Sequence, residues 1–196
     1  MNNSHFFAMI SRMRFINRWG LMNNTKNENI SEHSLQVAMY AYHLVLIHNK
    51  NNQEKLNAER AALLGMYHDA TEIITGDMPT PVKYYNKDIV ESYKKVEKMA
   101  GEKLSSMMCE DYKEYYNDLL CGDNPQDESL WKFVKAADKL SALVKCIEEI
   151  KMGNQEFKQA KISTEESLLN MNMPEIDEFI KMFIPSFSLT LDEQNL

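Results

Sequence analysis

Residues 35–47 read LQVAMYAYHLVLI, and no other stretch limits the possible folds as much. Ser31 is a candidate N-cap, and a helix over 32–49 follows from it. Leu35, Val37, Ala38, Met39, Tyr40, Ala41, Leu44, Val45, Leu46 and Ile47 fall on almost every side of that helix. A helix apolar all round is expected at the centre of a fold, with other helices packed on it. The run contains His43 and is too short to span a bilayer.

The rest of the chain supplies such partners. Ser4 is placed to cap a helix through Phe15, and Gly20 to Asn29 is an Asn-rich loop. Asn57 caps a third helix that runs through Tyr67 toward Gly76. A loop with Pro79 and Pro81 comes next, then an amphipathic helix over 88–107 with Ile89, Tyr93, Val96, Ala100 and Leu104 on one stripe. Further helices are predicted over 112–120, 127–152, 157–171 and 174–184. The longest carries Trp131, Val134, Ala137, Leu140, Leu143, Val144 and Ile147. No segment alternates like a strand. The expected fold is all-α, a bundle of about seven or eight helices, in a single domain over 1–196. A chain of 196 residues can bury a core of that size without staples.

Polar residues interrupt this pattern in three places. His33 stands in the first turn of the central helix. His68 and Asp69 end the third, with Glu72 one turn on and Asp77 just after Gly76. Asp138 breaks the stripe of the long helix. A His–Asp pair alone is weak, since chance gives one in about four chains of this composition. His68 would pass for a satisfied core histidine, and Asp138 for a salt-bridge partner of Lys135 or Lys139. Together, His33, His68, Asp69 and Asp138 make a two-nitrogen, two-oxygen set suited to a divalent metal, with Glu72 left over as a base. No histidine follows His68, which favours one metal over two.

Composition narrows the setting. The net charge of −7 argues against a nucleic-acid polymer or a membrane surface as partner. The cysteines Cys109, Cys121 and Cys146 are odd in number and lack metal-knuckle spacing. No N-terminal targeting pattern is seen, so a soluble cytoplasmic protein is expected. The 14 Met are read as adaptable core filling. His5, His43 and His48 are read as packing or surface residues.

His33, then His68-Asp69, then a distant Asp138 resembles the HD-domain phosphohydrolases. Arg18-Trp19, Asn29 to Ala38, Tyr67 to Ala70, Gly76 to Lys83 and Phe183 to Phe187 resemble, more narrowly, the bacterial 5′-deoxynucleotidases of that superfamily. The resemblance implies His33, His68, Asp69 and Asp138 as metal ligands and Glu72 as the acid that handles the attacking water. It implies that Arg18 orients the phosphate. Trp19, Asp77 and Thr80 would contact sugar and phosphate, with His33 also lining the substrate site. The implied substrates are deoxyribonucleoside 5′-monophosphates of differing base. The implied cofactor is one divalent ion, cobalt, with manganese or another transition metal as alternatives. The implied state is a homodimer; Phe179, Phe183, Ile184 and Phe187 are candidates for its apolar interface or, equally, for covering the monomer's own core. A triphosphate or alarmone hydrolase would want more cations than Arg18 and Lys83. A non-catalytic nucleotide sensor would not need Glu72.

Overall fold

The computed structural model describes residues 4–83 and 85–194, the Thr80 side chain excepted. The described residues form α1 (Phe6–Ile10), continued by a 3-10 turn Ser11–Phe15, then α2 (Ile30–Asn51), α3 (Ala58–Tyr67), α4 (Glu72–Thr75) and α5 (Thr80–Lys83). After these come α6 (Lys87–Ser105), α7 (Glu110–Cys121), α8 (Glu128–Lys151), α9 (Phe157–Leu169) and α10 (Pro174–Phe183). Among them the one extended pairing is an isolated antiparallel bridge between Asn17 and Asn29. The all-α expectation therefore holds. No described helix is long and apolar enough to cross a membrane.

Several helix ends differ from expectation for identifiable reasons. The N-cap of α2 is Asn29 rather than Ser31. Its side-chain oxygen accepts from the backbone N–H groups of Ser31 and Glu32, both at 3.0 Å, so the helix starts two residues earlier. The first helix tightens to 3-10 geometry at Ser11, and its Ser4 hydroxyl donates to Met107 O at 2.7 Å instead of serving only the helix. Asn57 and Asn86 do cap their helices, accepting from Arg60 N and Ile89 N at 2.8 Å. Gly76 ends α4 with φ +74°, a conformation that favours glycine.

The central helix is not buried on every side. Val37, Ala38, Ala41, Leu44, Val45 and Ile47 are buried, but Leu35, Met39, Tyr42 and Leu46 are exposed. The three at 39, 42 and 46 share one face by their spacing. On α6 the stripe is buried through Tyr93, Ala100 and Leu104, whereas Val96 is exposed.

The fold consists of two compact units. The first comprises the segments up to Met22, Asn27–Leu35 and Met66–Glu128. Phe6, Met13, Ile30, Ala70, Leu104, Met108 and Leu120 form its core, with Tyr116 tilted against Phe6 at 4.5 Å. The second comprises Asn23–Lys26, Gln36–Gly65 and the chain from Ser129 on. Its buried side chains include Leu44, Leu64, Phe133, Leu140, Leu143, Phe157, Leu168 and Ile176. Here α2 and α3 approach so closely that a Cβ on Gly65 would lie 3.0 Å from the Ala38 Cα. Phe179 is buried, stacks edge-on to Tyr40 at 5.0 Å and so belongs to this unit's own packing.

Candidate metal and phosphate site

The site in the first unit is made where two helix ends meet. Asn29 starts α2 and leaves His33, fully buried, in its first turn, with its backbone N–H on Asn29 O at 3.1 Å. At the other end α3 stops at Tyr67. Residues 68–71 turn with shorter hydrogen bonds, Ala70 N to Tyr67 O and Glu72 N to Asp69 O, both 3.0 Å, before α4 resumes. His68, Asp69 and Glu72 are therefore set by this break and not by one continuous helix face, as their spacing suggests.

Both imidazoles face the same carboxylate oxygen. His33 Nε2 lies 3.4 Å and His68 Nε2 3.2 Å from Asp69 Oδ2. The rings are 5.2 Å apart, and a nitrogen of each comes within 4.8 Å of the other. Ligand atoms bound at about 2.0–2.2 Å around one tetrahedral ion sit about 3.4 Å apart. The three groups thus fit a shared divalent cation. Asp138 lies on α8 in the second unit, half-buried beside Ala137 and near Leu140.

Electrostatics separates the two acids. Burial pushes the Asp69 carboxyl up, but His68, His33 and Arg18 outweigh it and hold it well below the usual carboxylate range. Glu72 is pushed up to about 9, first by burial and then by the charges of Asp69 and Asp77, against the opposing pull of Lys83 and Arg18. Its Oε2 is buried with no hydrogen-bond partner. One carboxylate is thus kept anionic, and its neighbour is held protonated at neutrality as long as no cation offsets the Asp69 charge.

Arg18 and Trp19 flank the cluster. The Arg18 guanidinium donates to His33 Nδ1 and, at 3.2 Å, to Glu28 Oε2. The Trp19 indole N–H donates to that same Glu28 oxygen at 3.1 Å. Trp19 has φ +61°, uncommon for a bulky residue. Asp77 accepts the Trp19 backbone N–H; burial nevertheless raises its carboxyl, with Asp69 adding to that, against Arg18 and Lys83. Lys83 is bound to Glu97 at 3.0 Å and lies over the Tyr93 ring at 4.8 Å. The Thr80 side chain lies outside the described residues.

The structure thus brings together His33, His68, Asp69, Glu72, Arg18, Trp19 and Asp77. Sequence reasoning missed Glu28, an acid in an Asn-rich loop with no periodic signal, and treated Lys83 only as a spare cation. His48, paired with Glu175 at 2.7 Å, and His43, edge-on to Phe183 at 4.8 Å, are packing residues as expected.

A family model described as 5′-deoxynucleotidase YfbR-like matches residues 5–187. A 5′-deoxynucleotidase of Pectobacterium atrosepticum is 51% identical over 193 residues, 98% of this chain and 96% of that protein. One of Vibrio atlanticus is 50% identical over 195 residues, 98% and 99% of the two chains. Among solved structures, an HD-domain phosphohydrolase of Listeria innocua superposes with a TM-score of 0.79 at 21% identity, covering 97% of this chain and 92% of its own. The HD phosphohydrolase of cyanophage S-2L, bound to dA and one catalytic Zn2+ ion, gives 0.65 at 18%, covering 97% and 99%.

Proposed function

The chain belongs to the YfbR-like 5′-deoxynucleotidase family, and from that membership we propose that it hydrolyses deoxyribonucleoside 5′-monophosphates to deoxyribonucleoside and phosphate. It accepts different bases and selects against a 2′-hydroxyl. The observation that carries this reading is the pairing of both imidazole Nε2 atoms with Asp69 Oδ2, with the Arg18 guanidinium beside His33. A candidate cation cage and a phosphate-recognising guanidinium then lie next to each other.

His33, His68 and Asp69 hold the divalent ion, and Asp138 is the fourth ligand by family resemblance. When bound, the ion supplies Lewis acidity toward phosphoryl oxygens, a water of lowered pKa and a charge that favours ionised Glu72. Arg18 offers a planar fork to the phosphate and sets it in line for attack. Glu72 takes a proton from water as the water oxygen bonds to phosphorus. The P–O5′ bond breaks, its electron pair leaves on O5′, and protonation there gives the 5′-hydroxyl. Trp19 walls the sugar at C2′, Asp77 holds the sugar from the other side, and Thr80 contacts sugar or phosphate.

Cobalt is the proposed ion, with manganese or another transition metal as substitutes. The proposed state is a cytoplasmic homodimer. The exposed face of Met39, Tyr42 and Leu46 supports self-association. The two compact units act as one HD domain, a reading supported by the family match, which runs through both.

Phosphate release from dAMP, AMP, dATP and guanosine tetraphosphate, with and without added cobalt, tests the function. Release from dAMP well above AMP, and only with metal, is expected. Preference for the triphosphate or the tetraphosphate, or no turnover of any of them, would overturn it. Light scattering at micromolar protein reads the dimer.

A further inference from the structure

We propose that Glu28 is a positioning residue that holds the phosphate-orienting guanidinium and the sugar wall in one fixed relation. This rests on the roles given above to Arg18 and Trp19. A single carboxylate oxygen, Glu28 Oε2, accepts from Arg18 Nη1 at 3.2 Å and from Trp19 Nε1 at 3.1 Å. Both ion-pair side chains are largely buried, 13% exposed for Arg18 and 14% for Glu28. An interaction so sheltered restrains its partners far better than a surface pair.

Two adjacent side chains in an extended segment ordinarily diverge. Here the left-handed Trp19 backbone turns the indole so that its N–H and the Arg18 head converge on one acceptor. The guanidinium carbon lies 6.0 Å from the indole ring centroid. Asp77 grips the backbone N–H of Trp19, but nothing in that contact orients the indole plane. The second contact of Arg18, to His33 Nδ1, exists only in the tautomer whose Nδ1 carries no proton. A His33 that ligates through Nε2 carries its proton on Nδ1 and offers the guanidinium no acceptor. Glu28 remains an acceptor in either case, so it still holds Arg18 in the working enzyme.

The backbone around Glu28 does not depend on its side chain. Arg18 N donates to Glu28 O at 2.9 Å, Ile30 N to Ile16 O at 2.9 Å, and Asn17 bridges Asn29. Glu28→Ala should therefore fold and bind metal. Glu28→Gln keeps an oxygen for the indole but loses the charge that pairs with Arg18.

The test measures kcat and KM for dAMP and AMP with cobalt, metal content, and dAMP affinity by calorimetry on the metal-free protein. For Glu28→Ala we expect wild-type metal content, dAMP affinity and kcat/KM lowered about ten- to a hundredfold, and a dAMP-to-AMP ratio moved toward one. For Glu28→Gln we expect a similar loss of phosphate-dependent affinity with the sugar ratio largely kept. A merely structural glutamate would lower both substrates equally and leave the ratio and its partial rescue unmoved. Wild-type affinity and ratio in Glu28→Ala overturn the inference alone. A wild-type protein that neither binds nor hydrolyses dAMP overturns the functional reading and this inference with it.

Discussion

At the residue scale, Glu72 and Trp19 make the sharpest claims. On the proposed mechanism Glu72 stands beside the metal ligands, and its buried, unpartnered Oε2 is the atom that would accept the water proton. Glu72→Ala should keep metal and dAMP affinity while kcat falls by about 10²–10⁴; loss of bound metal would make Glu72 a ligand instead. Trp19 is pinned through its indole N–H to Glu28, and on the proposed reading its ring is a rigid wall against the sugar. A ribose hydroxyl pressed against it would be buried without a partner, at a cost of about 1–3 kcal/mol. Trp19→Ala should narrow the dAMP-to-AMP ratio by about ten- to a hundredfold, mainly through a raised KM for dAMP. An unchanged ratio would shift selectivity to Asp77 or Thr80. His33, His68, Asp69 and Asp138 could be named from sequence, because they are polar groups where a helical pattern asks for core; Glu72 follows from its place one turn beyond His68, and Trp19 from family resemblance alone. Glu28 could not be named. Its partners lie nine and ten positions away across an irregular loop, and no period connects them.

At the scale of elements, helix ends and one close crossing do the placing. Gly65 lets α3 lie against α2, and these helices lead into His68 and out of His33. Gly65→Ala puts a methyl 3.0 Å from the Ala38 Cα, which should cost about 1–3 kcal/mol of stability and lower metal occupancy by separating the imidazoles. Calorimetric melting and metal analysis would show both, and an unaltered metal content would uncouple the crossing from the site. A second device ties α8 to the short segment 23–26. Burial raises Glu149, but its bonds from Lys145, the Thr25 and Lys26 backbone N–H groups and Asn154 hold it down to about 2. A carboxyl depressed in the folded state stabilises above its unfolded value near 4.5 and loses that contribution as pH falls through about 2. Glu149→Gln leaves the buried Lys145 ammonium uncompensated, a loss of about 3–5 kcal/mol at pH 7. Urea melts should show the gap to wild type closing between pH 4.5 and 2; a gap constant over that range would mean that the ionised pair contributes nothing.

At the scale of the whole molecule, metal should stabilise the native state because the unfolded chain has no cage. A saturating ion, at a hundred times its dissociation constant, adds about 2.7 kcal/mol. Chelation should lower Tm, and cobalt should restore it. Asp69→Ala should show no shift with cobalt and no turnover, since a ligand and its charge go together. A wild-type response in that variant would place the metal elsewhere. The sequence by itself determined the helices and the candidate ligands. Hydrophobic period, Asn and Gly at helix ends and polar intrusions in an apolar stripe are all local, carried within one or two turns. It mistook the cap of α2 by two residues and took that helix for one buried all round, because local pattern does not say which apolar face is covered. Only the tertiary structure decided that the third helix breaks at His68, that two histidines 35 positions apart share one carboxylate oxygen, and that one glutamate holds Arg18 and Trp19 together. Those facts depend on how close two backbones come and which way a left-handed residue turns its side chain, and neither quantity has a period along the chain.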